Sequence, residues 1–245
     1  MGRCIQANRG ENMKTCILIG GGNTTDKEEP YETEVIDKRI VKETGKDNPT
    51  FLYIGFANSH SDSKYDQTKK LFQEYGCKTE YLKKKNVINN PKLAEEKIKR
   101  ADIIYIGGGD TIKLLETIEE YHLEPYLKEA YERGCVMAGK SAGAILLSKE
   151  GFSDSYILRG EKDKYCFVKG LSFTDLSIVP HYKEDEKKTE DLKEELKGTK
   201  KEVIGIENGT ALLVKDKKIE GIISMKNKHI YKISNQKDYQ EEVIF

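Results

Sequence analysis

Short, mainly apolar segments that alternate with amphipathic ones are the feature that most restricts the fold of this chain. Each segment ends at glycine or at a polar loop, and the clearest are residues 15–19, 50–56, 102–106 and 135–138. Strands buried on both faces read as continuous apolar runs, and parallel strands need helical crossovers between them. We therefore expect an α/β fold, a three-layer αβα sandwich with a mostly parallel sheet.

The pattern changes after about residue 150, where shorter strand-like segments follow one another. A short strand is predicted over 177–180 and a lysine- and glutamate-rich helix over 184–197. Consecutive strands and hairpins are predicted over 202–206, 210–214, 217–224 and 228–233. Neither a linker-like composition nor a repeat interrupts the sequence, so we expect one domain over 13–245. Residues 1–12 lack periodicity and are predicted to be a flexible N-terminal extension.

The most informative motif is the Gly-x-Ser-x-Gly pentapeptide at 139–143, which lies between an apolar strand and a helix-forming run. A sharp strand-to-helix turn of this kind exposes a nucleophilic serine at the edge of the sheet. The small flanking residues let strand and helix approach each other. The alternative is an ordinary turn with a helix-capping serine. We interpret Ser141 as the nucleophile of a hydrolase.

A serine nucleophile needs a base within hydrogen-bonding reach, most often histidine. His181 is the first candidate, because it follows the strand-like residues 178–180 and active-site loops gather at strand ends. His60, in a polar loop expected at the same edge, is the second candidate. His122 ends a predicted helix and His229 begins a late strand, so neither is favoured.

The acidic group that would orient the histidine is harder to assign from the residues. Glu207 lies where an apolar strand meets an Asn-Gly turn, and it is either that group or an ordinary turn residue. Asp154, Asp175 and Glu184 remain alternatives.

Two glycine-rich loops, at 20–24 and 107–111, follow predicted strands. The second can donate backbone N–H groups to an oxyanion, together with the N–H of Ala142. Either loop can instead cradle a phosphate. Neither has the complete dinucleotide-binding or P-loop pattern. A non-catalytic module that holds a phosphate or a nucleotide is therefore the alternative from another functional class.

The charge balance argues against nucleic-acid and membrane partners. The chain has 42 lysine and arginine residues against 42 aspartate and glutamate residues. It contains no run of the roughly 18 apolar residues that a transmembrane helix requires. We expect a monomer or a homodimer.

Cysteine and histidine usage favours a cytoplasmic protein without a metal or cofactor. The five cysteines are odd in number and lack the spacing of metal ligands, and the four histidines are scattered. Residues 1–12 contain no apolar stretch, so we expect no secretory signal.

Taken in order, these motifs resemble a known family. The Gly-Gly-Gly-x-Thr loop at 107–111, Gly-x-Ser-Ala-Gly-Ala at 139–144, the Pro-His-Tyr around His181 and the acidic Glu207 before Asn-Gly-Thr-Ala-Leu look like peptidase E. Peptidase E enzymes are aspartyl dipeptidases, relatives of cyanophycinase in the class I glutamine-amidotransferase-like superfamily. The resemblance extends from about Lys14 to about Val214.

The resemblance implies a flavodoxin-like αβα fold and cofactor-free hydrolysis of Asp-X dipeptides through a Ser-His-Glu triad and an acyl-enzyme. By this resemblance Ser141 would be the nucleophile, His181 the general base and Glu207 the acidic third member. The oxyanion-hole donors would be Gly108, Gly109 and Ala142. Two residues depart from the family pattern. Lys140 stands where an apolar or aromatic residue is expected, and Asp110 stands where an asparagine is expected. A related hydrolase acting on another amide, as in cyanophycinase, therefore stays an alternative.

An aspartyl substrate needs a cation for its side-chain carboxylate, and Arg159 and Lys183 are the candidates from the sequence. A glutamine amidotransferase is disfavoured, because those enzymes carry cysteine at the position of Ser141. The His-x-Glu spacing common in those enzymes is also absent after His181.

Overall fold

The computed structural model describes residues 13–23, 31–57 and 61–245. The predicted N-terminal extension, Thr24 of the first glycine-rich loop and the candidate base His60 lie outside the described residues.

The described residues form strands and helices in the following chain order. The strands are β1 (Thr15–Ile19), β2 (Thr50–Ile54), β3 (Lys78–Leu82), β4 (Ile103–Ile106), β5 (Val136–Lys140), β6 (Glu150–Ser153), β7 (Cys166–Lys169), β8 (Ser177–Pro180), β9 (Glu202–Ile206), β10 (Thr210–Lys215), β11 (Lys218–Ile223), β12 (Ile230–Ser234) and β13 (Gln240–Val243). The helices are α1 (Glu34–Glu43), α2 (Ser61–Glu74), α3 (Lys84–Asn89), α4 (Pro91–Arg100), α5 (Thr111–Glu120), α6 (Glu124–Glu132), α7 (Ala142–Leu147), α8 (Ser155–Leu158) and α9 (Glu186–Leu196). None of these helices is long and apolar enough to cross a membrane.

The four apolar segments of the sequence are neighbours in one sheet. Its strand order is β11-β10-β1-β5-β4-β2-β3, and the pairs from β1 to β3 are parallel. The remaining two pairs, β1 with β10 and β10 with β11, are antiparallel. The prediction of an α/β fold around a mostly parallel sheet is confirmed.

Helices cover both faces of this sheet, because each buried strand presents apolar side chains to both sides. On one face, Ile40 of α1 and Phe72 of α2 are buried in a cluster with Tyr105 of β4. On the other face, Leu127 of α6 is buried in a cluster with Ile104 of β4. Adjacent residues of β4 thus belong to different layers, as the alternation of side chains along a strand requires.

A second sheet, which the sequence analysis did not anticipate, has the order β13-β12-β9-β8-β6-β7. The late segments were expected to be consecutive strands and hairpins. The four strands are present, but the expectation that neighbours along the chain pair as hairpins is wrong for most of them. Only β10 and β11 form the predicted kind of hairpin within the first sheet, whereas β9 pairs with β8 and β12 in the second. An apolar alternation identifies a strand but does not specify which neighbour it pairs with.

The two sheets meet where β1 ends, at Gly20. Its N–H donates to the carbonyl of Thr210 at 3.1 Å, and its carbonyl accepts the N–H of His181 at 3.0 Å. A Cβ atom on Gly20 would overlap the carbonyl oxygens of Ile206 and Glu207. Glycine is therefore required at this position by the close approach of the backbones.

We expect Gly20→Ala to lower the free energy of unfolding by about 3 kcal/mol, the upper part of the range for overpacking, because backbone oxygens cannot move aside. Gly45→Ala is the matched control. No atom lies within 4 Å of a Cβ there, and φ is +62°, so only the left-handed backbone is penalised, by about 1 kcal/mol. Urea unfolding of both variants measures the difference. Equal destabilisation would contradict a tight junction at Gly20.

Candidate active site

The pentapeptide forms a sharp turn between β5 and α7. Ser141 has φ 55° and ψ −112°, a backbone conformation that residues other than glycine rarely adopt. A Cβ atom on Gly139 would overlap the backbone of Gly143, and one on Gly143 would overlap the carbonyl oxygen of Ile106. Both glycines therefore allow strand and helix to approach closely, and the serine between them is held in a strained conformation that costs about 1–3 kcal/mol.

His181 follows β8 and lies beside the serine. Its Nε2 is 2.9 Å from Oγ of Ser141, and its Nδ1 is 2.7 Å from Oδ1 of Asn208. With the amide oxygen of Asn208 as acceptor, Nδ1 carries the proton and Nε2 accepts the hydrogen bond from the serine hydroxyl. The arrangement therefore suits proton transfer from Ser141 to His181.

The first glycine-rich loop supports this trio. A Cβ atom on Gly21 would overlap Oδ1 of Asn208 and the imidazole of His181. The carbonyl of Gly21 also accepts the N–H of Gly209 at 3.1 Å, which holds the turn that carries Asn208. The loop that was considered as a phosphate cradle thus packs directly against the side chains beside the serine.

Glu207 does not contact the imidazole, which corrects its assignment as the third member of the group. Its carboxylate accepts the backbone N–H of His229 at 2.6 Å and lies 3.8 Å from the ammonium of Lys228. Successive residues at a strand end point in different directions, so only one of Glu207 and Asn208 can face His181. The sequence signal for Asn208 was present in the Asn-Gly dipeptide, but it was interpreted as a turn alone.

The residues predicted for the oxyanion hole lie close to the nucleophile. A Cβ on Gly108 would be 3.1 Å from the Cβ of Ser141. Gly109 lines the cavity that also contains Ser141. Ala142 directly follows the serine and begins α7. Asp110, one of the two departures from the family pattern, caps α5 by accepting the N–H groups of Ile112 and Lys113.

A cavity of about 520 Å³ contains Ser141 and His181. Its charged lining includes Asp154, near the end of β6, and Lys188, in α9. Lys188 is only 6% exposed, and its ammonium donates to the carbonyl of Pro180 at 3.0 Å. Burial lowers the pKa of Lys188 to about 8, although nearby carboxylates, Asp154 first among them, act in the opposite direction.

Arg159 and Lys183 do not line this cavity, so their assignment to substrate binding is wrong. Arg159 pairs with Glu116 and Glu161 at the surface. Lys183 pairs with Glu241, and its ammonium lies 4.0 Å from the centre of the Tyr231 ring. Both cations are thus already neutralised by carboxylates.

Among the described residues, the lysines that line the cavity are Lys140, Lys64 and Lys188. Lys188 was missed because it belongs to a lysine-rich helix that reads as solvated surface, and nothing in that run distinguishes the one buried lysine. Lys140 was noted only as a departure from the family pattern.

The cations of the cavity act on the histidine. The pKa of His181 is lowered from its ordinary value, first by burial and then by the charge of Lys188, with a smaller contribution from Lys140. The hydrogen bond to Asn208 and the charge of Asp154 oppose this shift. The imidazole is therefore held in its neutral form, which is the form that accepts a proton.

Within the described residues, no group of three or more histidine, cysteine, aspartate or glutamate side chains is arranged to hold a metal ion.

The fold is similar to the crystal structure of a peptidase from an acI-B1 Actinobacterium. The TM-score is 0.70 at 21% sequence identity, and the alignment covers 96% of this chain and 98% of that one. At this identity the similarity shows the fold, which is the class I glutamine-amidotransferase-like architecture that was predicted.

Comparison of sequences identifies the family. Residues 16–222 match the model of peptidase family S51. The chain is 29% identical over 172 residues to the uncharacterized peptidase YgaJ of Bacillus subtilis (strain 168), a match that covers 69% of each protein. It is 35% identical over 85 residues to peptidase E of Pasteurella multocida (strain Pm70), covering 33% of this chain and 36% of that protein. The resemblance to peptidase E is thus confirmed, and the chain belongs to peptidase family S51, a family of serine peptidases.

Proposed function

We propose that the protein is a serine dipeptidase that hydrolyses Asp-X dipeptides, with Ser141 as nucleophile, His181 as general base and Asn208 as the residue that orients the base. The observation that supports this most strongly is the position of one imidazole between two partners. Its Nε2 lies 2.9 Å from the serine hydroxyl and its Nδ1 lies 2.7 Å from the Asn208 amide oxygen.

In this mechanism Oγ of Ser141 attacks the peptide carbonyl while its proton passes to Nε2 of His181. Backbone N–H groups of Gly108, Gly109 and Ala142 stabilise the oxyanion that develops. His181 then gives the proton to the leaving amine, and water hydrolyses the acyl-enzyme with the same histidine as base. The products are the N-terminal amino acid and the residue that followed it.

Asn208 is a neutral partner, so it can orient the imidazole but cannot neutralise the imidazolium that forms. Asparagine serves in this place in papain-like proteases, which use a Cys-His-Asn arrangement. Burial and the charge of Lys188 lower the pKa of His181, which keeps the imidazole unprotonated before reaction at the expense of its basicity. The base is then available at neutral and mildly acidic pH.

Lys188 and Asp154 suit the N-terminal aspartate of the substrate. In our proposal the ammonium of Lys188 binds the aspartate side-chain carboxylate, and the carboxylate of Asp154 binds the free amine. Both residues line the cavity that holds the nucleophile. Because Lys188 is buried, an ion pair with it is screened less than a surface pair would be.

A phosphate- or nucleotide-binding module remains the alternative from another class. The packing of Gly21 against His181 and Asn208, and of Gly108 against Ser141, favours the hydrolase, because both loops contact the candidate catalytic side chains. An amide substrate other than a dipeptide, as in cyanophycinase, is distinguished from our proposal by the substrate panel below.

A cytoplasmic location is part of the proposal. Cys16, Cys77, Cys135 and Cys166 are buried free thiols, and free thiols are kept reduced in the cytosol.

The first test compares hydrolysis of Asp-Leu with that of Leu-Leu, Glu-Leu and β-Asp-Leu. We expect Asp-Leu to be cleaved best, because its free α-amine and its short side-chain carboxylate are the groups that Asp154 and Lys188 would bind. Ser141→Ala should abolish cleavage, and Ser63→Ala, at an exposed position of α2, should leave it unchanged. Retained cleavage in Ser141→Ala would contradict the nucleophile, and stabilisation by phosphate without any cleavage would favour the binding module.

A second test separates Asn208 from Glu207. We expect Asn208→Ala to lower kcat about 10- to 100-fold, because a misoriented imidazole loses part of the 10²- to 10⁴-fold contribution of a general base. Glu207→Gln retains an oxygen that can accept the N–H of His229, so its kcat should remain within about twofold of the wild type. Steady-state kinetics with Asp-Leu measures both variants. A larger loss in Glu207→Gln than in Asn208→Ala would restore Glu207 as the third member.

A third test titrates His181 by NMR, which needs no substrate. Its midpoint should lie below the ordinary histidine value of about 6.5, because burial and Lys188 both disfavour the imidazolium. Lys188→Met should raise the midpoint, since one repelling charge is lost and Asp154 still attracts the proton. Lys187→Met, an exposed neighbour in α9, is the matched control and should leave it unchanged. An unmoved or lower midpoint in Lys188→Met would contradict this electrostatic account.

A further inference from the structure

The cavity continues beyond the nucleophile into a part that the proposed mechanism does not use. This part, called here the sheet arm, is lined by Tyr53, Tyr105 and Lys140 at the ends of β2, β4 and β5, and by Lys64 and Thr68 of α2. Lys140 immediately precedes Ser141, and the charges that act on it are those of Asp37, Lys64 and Glu32. The charges that act on Lys188 are instead those of Asp154, Asp185 and Glu184, so the two lysines lie in different parts of the cavity. A substrate bound across Ser141 would thus have one end in each part.

Lys140 brings unused hydrogen-bond donors into the sheet arm. A lysine ammonium has three N–H donors. One donates to the carbonyl of Gly22 at 3.3 Å, and this is its only hydrogen bond to the described part of the chain. Burial lowers the pKa of Lys140. An ammonium with restricted exposure and unused donors is unfavourable, and a bound anion would supply both hydrogen bonds and an opposite charge.

Tyr105 supplies a second donor among the residues that line the cavity. Its side chain is 1% exposed, and its hydroxyl has no hydrogen-bond partner among the residues that the structure describes. It lines the cavity together with Lys140. A buried hydroxyl without a partner is uncommon in native proteins, so this one points to a group supplied by a ligand.

Asp37, the acidic residue that acts most strongly on Lys140, does not cancel its charge. Asp37 is fully buried, and it accepts the Thr33 hydroxyl at 2.8 Å while its other oxygen has no partner among the described residues. Burial raises the pKa of Asp37 to about 7, although the Thr33 hydroxyl and the charge of Lys140 act in the opposite direction, so the negative charge on this carboxyl is disfavoured. Asp37 and Lys140 form no ion pair within 4 Å. Glu32 also lines the cavity and acts on Lys140, and its carboxylate accepts the N–H of Asn23 at 2.6 Å. Two lysines, Lys64 and Lys140, therefore stand against one glutamate in this part of the lining, which leaves a net attraction for an anion.

From these observations we infer that Lys140 and Tyr105 bind a carboxylate on the leaving residue of the substrate. This inference rests on the proposed function, in which Lys188 and Asp154 bind the N-terminal residue and leave the sheet arm for the residue after the cleaved bond. Charge-assisted hydrogen bonds to a carboxylate match the donors present. In a dipeptide the leaving residue carries a free α-carboxylate, so Lys140 would select substrates that end one residue after the cleaved bond.

The carboxylate has two possible sources, the α-carboxylate and an acidic side chain, and the substrates separate them. Wild-type enzyme is assayed on three substrates that differ in the carboxylates of the leaving residue. Asp-Leu has the α-carboxylate there, Asp-Leu amide has none, and Asp-Glu amide has only the side-chain carboxylate of the glutamate. We expect kcat/KM for Asp-Leu to exceed that for Asp-Leu amide by at least about tenfold, because a buried site built for hydrogen bonding rejects an analogue without the group. A preference for Asp-Glu amide over Asp-Leu amide would assign the side chain as the source.

The variants test whether Lys140 and Tyr105 cause this selectivity. Lys140→Met should bring the ratio of kcat/KM for Asp-Leu to that for its amide close to one, through loss of activity on the free acid. Tyr105→Phe should lower the ratio partly, and Lys140→Arg should retain most of it. Lys169→Met, at an exposed strand position, is the matched control and should keep the wild-type ratio. Thermal unfolding verifies that each variant is folded, and Tyr105→Phe and Lys140→Arg carry the test if Lys140→Met does not fold.

Equal cleavage of the acid and both amides by the wild type, or an unchanged ratio in Lys140→Met, would overturn the inference. Leu-Leu and its amide are assayed in parallel. If Leu-Leu and its amide are cleaved and the aspartyl substrates are not, the aspartate proposal fails. The ratio of kcat/KM for Leu-Leu to that for its amide then still tests Lys140. If no pair is cleaved, both proposals are overturned.

Discussion

The geometry around the nucleophile depends on the close backbone contact between the two sheets at Gly20. Through its N–H and carbonyl, this residue joins β10 of the first sheet to His181, which follows β8 of the second. Ser141 belongs to the first sheet, since its N–H donates to the carbonyl of Ile19 at 3.0 Å. The distance between hydroxyl and imidazole is therefore fixed by a junction of backbone atoms. A side chain at Gly20 would push the two sheets apart. It would thereby also increase the distance between Ser141 and His181.

The sequence predicted those features that local chemistry specifies. The strands of the first sheet were recognisable because they are apolar on both faces, and Ser141 because a glycine on each side allows a turn that few sequences permit. His181 was identifiable from its place at a strand end. Glu207 was a wrong assignment by one residue, because the direction of a side chain at a strand end depends on the turn that follows. The second sheet was not predicted, since strand pairing over long separations leaves no local signal.

Charge is where local sequence carried the least information. Arg159 and Lys183 suit a carboxylate in isolation, but both are paired with glutamates at the surface. Lys188 and Lys140 are the lysines with restricted exposure in the cavity, and burial lowers the pKa of each. Their importance follows from desolvation, which strengthens their interaction with an anion. Burial of a single lysine in a chain with 42 basic residues is decided by tertiary packing.

The central claim is that His181 activates Ser141, and site-resolved labelling with a fluorophosphonate tests it most directly. The reagent phosphonylates only an activated serine, and mass spectrometry of the digested protein identifies which residue carries the adduct. The account predicts a single adduct on Ser141 that forms rapidly in the wild type and at least about 100-fold more slowly in His181→Ala, the minimum typical of a general base. Labelling at another serine, or equal rates in the two proteins, would contradict it.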